Sequence, residues 1–340
     1  MTSSRIGRRT FLGLGGAAVA LGVAGAPRAP RAQTRAVPLE CFVTVALTVA
    51  APLIGIEKGF FKAEGIDLQL REFPSGTTAL QTWKTGAGQI ILTGDLPGLA
   101  YWAQNPGDHR VIAPLERSAG RYGAVVKADI KGPQDLKGRT IATRVGSTGS
   151  YFTSRYLKKN NLTPSDVKVI NLETNHMVPA LDRGDIDGFF IWEPHIAIAL
   201  KTSGAKVRKL TTAEGYINGY SLMGARPQWL AANRDVVIRY LRALRRSGTE
   251  VTRDKELAAT LVDKRYGLKP DQFLPYIHLV GWLMAFDKGF YDDFSDQFLW
   301  AKETGMIKPE PRLDFREWCY FDGLRALDPA LVTPPPAPVG

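Results

Sequence analysis

The sequence predicts an α/β protein of two lobes, each an open sheet flanked by helices. Three observations lead there. Apolar runs of strand length alternate with helix-length segments from residue 41 to about 210. The 340-residue length suits two domains. Short, flexible composition shifts at Ser118-Ala119-Gly120-Arg121 and near 215–219 mark places where the chain can cross between lobes. Lobe 1 is therefore expected to combine 36–120 with 216–330, with lobe 2 inserted as 121–215. A flexible tail at 331–340 follows, marked by Pro334-Pro335-Pro336.

The elements follow in order. A strand at 41–47 precedes a helix at 52–63, with Pro52 suited to a first turn. Residues 66–73 alternate apolar and polar and read as a half-buried strand. Pro74-Ser75-Gly76 turns the chain into a helix from Thr77. Residues 90–93 are a short buried strand, 97–104 a helix, and 110–115 and 123–126 further strands. Strands at 140–144, 167–171, 188–192 and 207–210 then alternate with helices at 148–159, 176–183 and 194–202. Beyond Pro227 the chain reads as mostly helical.

Residues 1–32 read as an export address. Arg5, Arg8 and Arg9 precede a 16-residue apolar stretch, and small residues follow at Ala24-Gly25-Ala26 and around Ala32. Arg8-Arg9-Thr10-Phe11-Leu12 resembles the twin-arginine motif, with Gly7 where that pattern prefers Ser or Thr. This predicts a periplasmic protein exported by a twin-arginine-type signal. The segment holds five arginines and no acid, so its removal lowers the net charge from +11 to +6. The remaining basic residues are scattered, which argues against nucleic acid as a partner. No interior run is apolar enough for a membrane span. Cys41 and Cys319 have neither a zinc nor a redox spacing, and whether they pair is left open. Four histidines form no metal spacing, so neither metal, cofactor nor catalytic residue is expected.

The chemistry that can be read lies in the strand-to-helix turns, where ligands sit in open α/β folds. Thr48 follows the first strand; Ser75, Gly76 and Thr77 open a helix; Thr93, Gly94 and Asp95 follow a buried strand; and Ser147 and Thr148 open another helix. Helix N-termini offer unpaired N–H groups, and hydroxyls add neutral donors, so facing starts can cradle an oxyanion. Ordinary capping explains each such turn singly. Neither glycine turn has a P-loop ending, which argues against ATP hydrolysis. Trp192 reads as an aromatic wall or as packing; Glu193 reads as an acceptor for a ligand or as a helix cap. Arg117, Arg121 and Arg144 lie near crossovers or strand ends, where each can meet an anionic ligand or solvent.

A family resemblance enters at these residues. Residues 55–68, from Gly55-Ile56-Glu57-Lys58-Gly59 to Gly65-Ile66-Asp67-Leu68, resemble the opening of periplasmic substrate-binding proteins of ABC importers for nitrate, sulfonate, taurine and bicarbonate. The likeness continues through Phe73-Pro74-Ser75-Gly76, Thr93-Gly94-Asp95-Leu96-Pro97, residues 135–142, Gly146-Ser147 and the run to Trp192-Glu193-Pro194. It resembles the aliphatic sulfonate and taurine branch most. The resemblance implies a two-lobed periplasmic binding protein fold of type II, with the ligand cleft between the lobes. It implies a monomeric receptor that captures a small organic anion by hinge closure and passes it to an inner-membrane ABC permease. Ligand-lining roles fall on Thr48, Ser75, Gly76, Thr77, Thr93, Gly94, Asp95, Arg117, Ser147, Thr148, Trp192 and Glu193. Receptors for nitrate, bicarbonate, an aromatic carboxylate or a thiamine-type pyrimidine are the alternatives. A desulfinase-like enzyme on this fold would need a cysteine in the turn after strand one. Cys41 is about 20 Å too early for that, at ~3.3 Å per residue.

Overall fold

The computed structural model describes residues 36–340. The export segment lies outside the described residues. Ten strands form two five-stranded sheets. The first takes β1 (Val37–Thr44), β2 (Ile66–Phe73), β3 (Ile90–Gly94) and β4 (Arg110–Ser118), and then β10 (Gly219–Ala225). The second takes β5 (Tyr122–Lys127), β6 (Thr140–Thr143), β7 (Lys168–Asn171), β8 (Gly188–Trp192) and β9 (Val207–Thr212).

The sheet orders are β2-β1-β3-β10-β4 and β7-β6-β8-β5-β9. They have one topology. In the first, β1 runs parallel to β2 and β3, while β10 is antiparallel to β3 and β4. In the second, β6 runs parallel to β7 and β8, while β5 is antiparallel to β8 and β9. Each odd strand sits beside a crossover, β4 to β5 or β9 to β10. β8 and β10 are buried throughout, as expected of central strands covered on both faces. β2, at an edge, alternates buried and exposed positions over most of its length.

The helices are α1 (Ala50–Glu57), α2 (Phe60–Ala63), α3 (Gly76–Trp83), α4 (Asp95–Gln104), α5 (Thr148–Lys159), α6 (Thr174–Arg183) and α7 (His195–Ser203). A helical finish follows with α8 (Pro227–Ala232), α9 (Arg234–Arg253), α10 (Lys255–Tyr266), α11 (Pro270–Phe273) and α12 (Lys288–Glu303). None of the described helices is long and apolar enough to cross a membrane.

Several boundaries differ from the sequence reading. β1 ends at Thr44, three residues early, because a helical turn begins at Leu47. The helix expected at 52–63 is two pieces, broken where Gly59 takes a left-handed conformation at φ 69°. Strand β10, the centre of the antiparallel half of sheet one, had no assignment in the sequence. The segment read as a loose tail is tied down: Val339 and Leu313 exchange backbone hydrogen bonds at 3.0 and 2.9 Å, and Thr333 N–H donates to Phe286 O at 2.9 Å. Cys41 and Cys319 are both buried free thiols.

The start of β10 lies directly on the Tyr122 ring: a Cβ at Gly219 would fall 2.1 Å from a ring carbon and 2.8 Å from the hydroxyl. Gly219→Ala is therefore expected to displace Tyr122 and destabilise the fold by about 1–3 kcal/mol. A lowered urea midpoint with unchanged slope would register this; an unshifted midpoint would contradict the close packing.

His109 is fully buried beside Trp83 and Tyr101, with ring centroids 6.5 and 6.1 Å away, and neither ring nitrogen has a hydrogen-bond partner. Burial pushes its pKa down to about 4. The unfolded chain protonates near the ordinary histidine value of 6.5, so the stability this group supplies at neutral pH is lost as pH falls through 6.5 towards 4. Between pH 7.5 and 5 the loss is about 2 kcal/mol. In His109→Leu this acid-linked loss should vanish, narrowing the gap to wild type on acidification. Paired urea titrations at both pH values test it.

Candidate functional site

Between the two sheets lies a hollow lined by Thr44, Ala46, Gly76, Gly94, Pro97, Arg121, Tyr122, Ser147, Thr148, Trp192 and Ser221. Its free volume is about 30 Å³, room for roughly one or two waters. Helices α3, α4 and α5 begin here, with N-caps Ser75, Gly94 and Ser147. Three sets of helix-terminal N–H groups thus converge on one place, which favours acceptor oxygens.

Arg121 supplies the charge. The turn after β4 brings it inward, where it is 3% exposed and pairs with the fully buried Glu116 carboxylate. Its Nη2 donates to Tyr122 Oη at 2.8 Å and to Ser221 Oγ at 3.2 Å, and Ser221 Oγ donates to Glu116 Oε1 at 2.8 Å. The guanidinium also stacks over the Tyr122 ring at 4.4 Å. Burial works most strongly against the charge, but Glu116, Tyr122 and Asp95 together outweigh it and hold the Arg121 pKa above its ordinary value. Two buried donors on the wall have no partner: Arg121 Nε and Trp192 Nε1. Such orphans are costly unless something accepts from them.

Asp95 stands behind the hollow, fully buried. It accepts from the Thr148 hydroxyl of the opposite half, from Leu96 N at 2.6 Å and from Tyr220 N at 3.2 Å. Burial pushes its pKa up to about 6 despite these donors. Glu193 also rises through burial; its Oε2 accepts from Ala197 N at 2.9 Å, capping α7, and Lys209 Nζ lies 3.6 Å from Oε1.

Of the twelve residues singled out in the sequence, Gly76, Gly94, Ser147, Thr148 and Trp192 line the hollow. Thr48 does not. The early end of β1 puts Thr44 and Ala46 on the wall and turns Thr48 into a buried helical turn. Ser75 serves as the cap of α3, accepting from Thr78 N at 3.3 Å. The buried hydroxyls of Thr77 and Thr93 make no hydrogen bond and lie off the wall. Arg117 is held by Asp287 and donates to Tyr220 Oη at 2.6 Å. Arg144 pairs with Glu173 at 2.9 Å. Of the three arginines near crossovers, only Arg121 reaches the hollow, so the cradle is not the neutral one that the hydroxyl turns suggested. Tyr122 and Ser221 were also missed; each carries meaning only through the partner that another strand brings to it. Among the described residues no group of three or more His, Cys, Asp or Glu could hold a metal ion.

Further polar contacts bridge the halves around the hollow. Thr78 Oγ1 donates to Glu173 Oε1 at 3.3 Å, and Thr174 Oγ1 donates to Pro74 O at 3.3 Å. On another side Tyr151 Oη donates to Asp296 Oδ2 at 2.7 Å, Arg155 pairs with the same carboxylate, and Trp300 Nε1 donates to Ser154 Oγ at 3.1 Å.

Comparison with known proteins fits this geometry. The taurine-binding periplasmic protein of Escherichia coli is 31% identical over 157 residues, 45% of this chain and 49% of that protein. The chain thus spans about half the length of that curated relative. The periplasmic aliphatic sulphonate-binding protein SsuA of E. coli superposes with a TM-score of 0.72 at 18% identity, over 84% of this chain and 97% of that one. The alkanesulfonate-binding protein SsuA of Xanthomonas axonopodis, bound to MOPS, does so with a TM-score of 0.71 at 18% identity, over 79% and 94%. These two likenesses establish the periplasmic binding protein fold. The family described as NMT1/THI5 like matches residues 48–258, more than half of the sequence, and the chain belongs to that family.

Proposed function

We propose that this protein is an extracytoplasmic solute-binding receptor of an ABC importer, and that it captures a small organic anion, an aliphatic sulfonate or a taurine-like aminosulfonate. The observation that carries this reading is the pair of buried, unpartnered donors, Arg121 Nε and Trp192 Nε1, on a hollow where three helices begin. A sulfonate offers three acceptor oxygens on a tetrahedral head, matching donors arriving from both halves. The acids nearby do not oppose it. Glu116 is matched by Arg121, Lys209 stands beside Glu193, and Asp95 is surrounded by donors and titrates near 6.

The relatives support the setting. Proteins named for periplasmic taurine and sulfonate binding share this chain's sequence or fold. We accordingly place the mature protein in the periplasm, exported by the twin-arginine-type leader, working as a monomer that delivers its ligand to an inner-membrane permease. The halves 36–120 with 216–330, and 121–215, act as two lobes that swing about the crossovers. The small hollow is their closed arrangement, and ligand enters when they part. No chemical step is assigned. The two thiols are buried off the hollow, and burial raises the pKa of each, the reverse of an activated nucleophile.

Calorimetry on the mature protein with taurine, ethanesulfonate, nitrate, bicarbonate, benzoate and a thiamine-type pyrimidine tests the ligand class. A sulfonate should bind most tightly, and at 100 times its dissociation constant it should add about 2.7 kcal/mol of stability. Trp192→Phe, which removes one neutral donor, should weaken that ligand about 3- to 10-fold. Arg121→Gln should weaken it about 10- to 100-fold. Silence towards every sulfonate with firm binding of another class would replace the ligand; indifference to both substitutions would remove the site. Closure has its own test: Asp296→Ala, which breaks the Tyr151 and Arg155 contacts, should enlarge the ligand-free radius of gyration in X-ray scattering. Sulfonate should bring that radius back, and a radius that ligand never changes would contradict lobe movement.

A further inference from the structure

A second concavity lies on lobe 1 and shares no residue with the hollow. It is a surface groove of about 470 Å³, within the range of small-ligand sites. One wall is a single face of α9, formed by Leu244, Arg245, Gly248, Thr249, Thr252 and Arg253. The opposite wall is the strap 282–285, Trp282-Leu283-Met284-Ala285, with Leu115 and Leu331 completing the floor. The strap is anchored along the edge of sheet one: Arg117 N–H donates to Gly281 O at 2.9 Å and Leu283 N–H to Leu115 O at 3.1 Å.

Three features decide what this groove suits. Its floor is apolar, and Trp282, Leu283 and Met284 are all partly exposed. Its rim carries two guanidinium groups and no acid. Among the described residues no carboxylate pairs with Arg245, and Arg253 has only Glu250 at 3.6 Å. Gly248, in the middle of a 20-residue helix, is buried against the Trp282 ring: a Cβ there would meet the indole at 3.5 Å, so helix and strap are in close contact at this point. The partly exposed remainder of the Trp282 ring and Arg245 line the same groove.

We infer that the groove is a second binding site, for a single-chain amphiphile whose apolar tail lies on Trp282, Leu283 and Met284 and whose monoanionic head meets Arg245. Tail burial supplies attraction without direction, and the guanidinium sets the sign of the head. The inference stands apart from the assignment of the interlobe hollow.

Sodium decanoate at submicellar concentration is the probe, with decyltrimethylammonium as the charge-reversed control, titrated calorimetrically into the mature protein. One decanoate per chain is expected, bound at least tenfold more tightly than the cation. Arg245→Gln, an exposed substitution, should weaken decanoate about tenfold. Trp282→Ala, which removes the partly exposed aromatic surface of the groove, should weaken decanoate at least tenfold while leaving the circular dichroism spectrum unchanged. Trp192→Phe should leave decanoate binding intact. Absence of saturable binding, equal binding of the cation, or binding that survives both groove substitutions would overturn the proposal. So would decanoate binding lost in Trp192→Phe, since the amphiphile would then occupy the hollow.

Discussion

A guanidinium withdrawn from water must be surrounded by groups that replace what water supplied, and in this protein that requirement falls on Arg121. Its partners arrive from three strands: Glu116 from β4, Tyr122 from β5 and Ser221 from β10. Those strands flank both chain crossovers. Leaving one of two buried, paired charges unmatched costs several kcal/mol, so the pair fixes the turn between β4 and β5 with Arg121 facing inward. It also gives the hollow its only buried cationic side chain among the described wall residues. One pair of charges thereby ties the geometry of the crossovers to the electrostatics of the site.

The repeated sheet topology explains why donors gather at this place. Each sheet has three parallel strands, and the helices that follow such strands begin at the sheets' carboxyl ends. With the two sheets facing each other across the crossovers, the starts of α3 and α4 from one half and α5 from the other share the same hollow. The antiparallel strands β5 and β10 then bring Tyr122 and Ser221 to its floor. Contacts such as Thr148 to Asp95 cross directly between halves, so any parting of the lobes must exchange them for water.

The strand and helix alternation, the two crossover segments and five of the wall residues were legible in the sequence, because they depend on local pattern: period-two apolar runs, helix-length segments, and glycine or hydroxyl residues at turns. Thr48 was misplaced because a strand end cannot be read to within three residues when a helical turn follows at once. Strand β10 escaped notice since Gly219-Tyr220-Ser221-Leu222-Met223-Gly224-Ala225 has two glycines and no alternation. Its backbone is a strand because β3 and β4 accept it on both sides, and its glycines are needed where Tyr122 and His109 press against it.

What the sequence determined by itself is the set of elements, their order and the chemistry offered at each turn, since φ/ψ preference, amphipathic period and helix-terminal N–H groups are properties of short segments. What tertiary structure alone decided is which of several similar candidates reaches the hollow. Arg117, Arg121 and Arg144 look alike along the chain. Asp287 occupies the first and Glu173 the third, while Arg121 is folded inward against Glu116 and keeps a donor free beside Trp192. That choice rests on side-chain contacts that the fold makes between separate segments, Asp287 with Arg117, Glu173 with Arg144 and Ser221 with Arg121, and no local pattern encodes them.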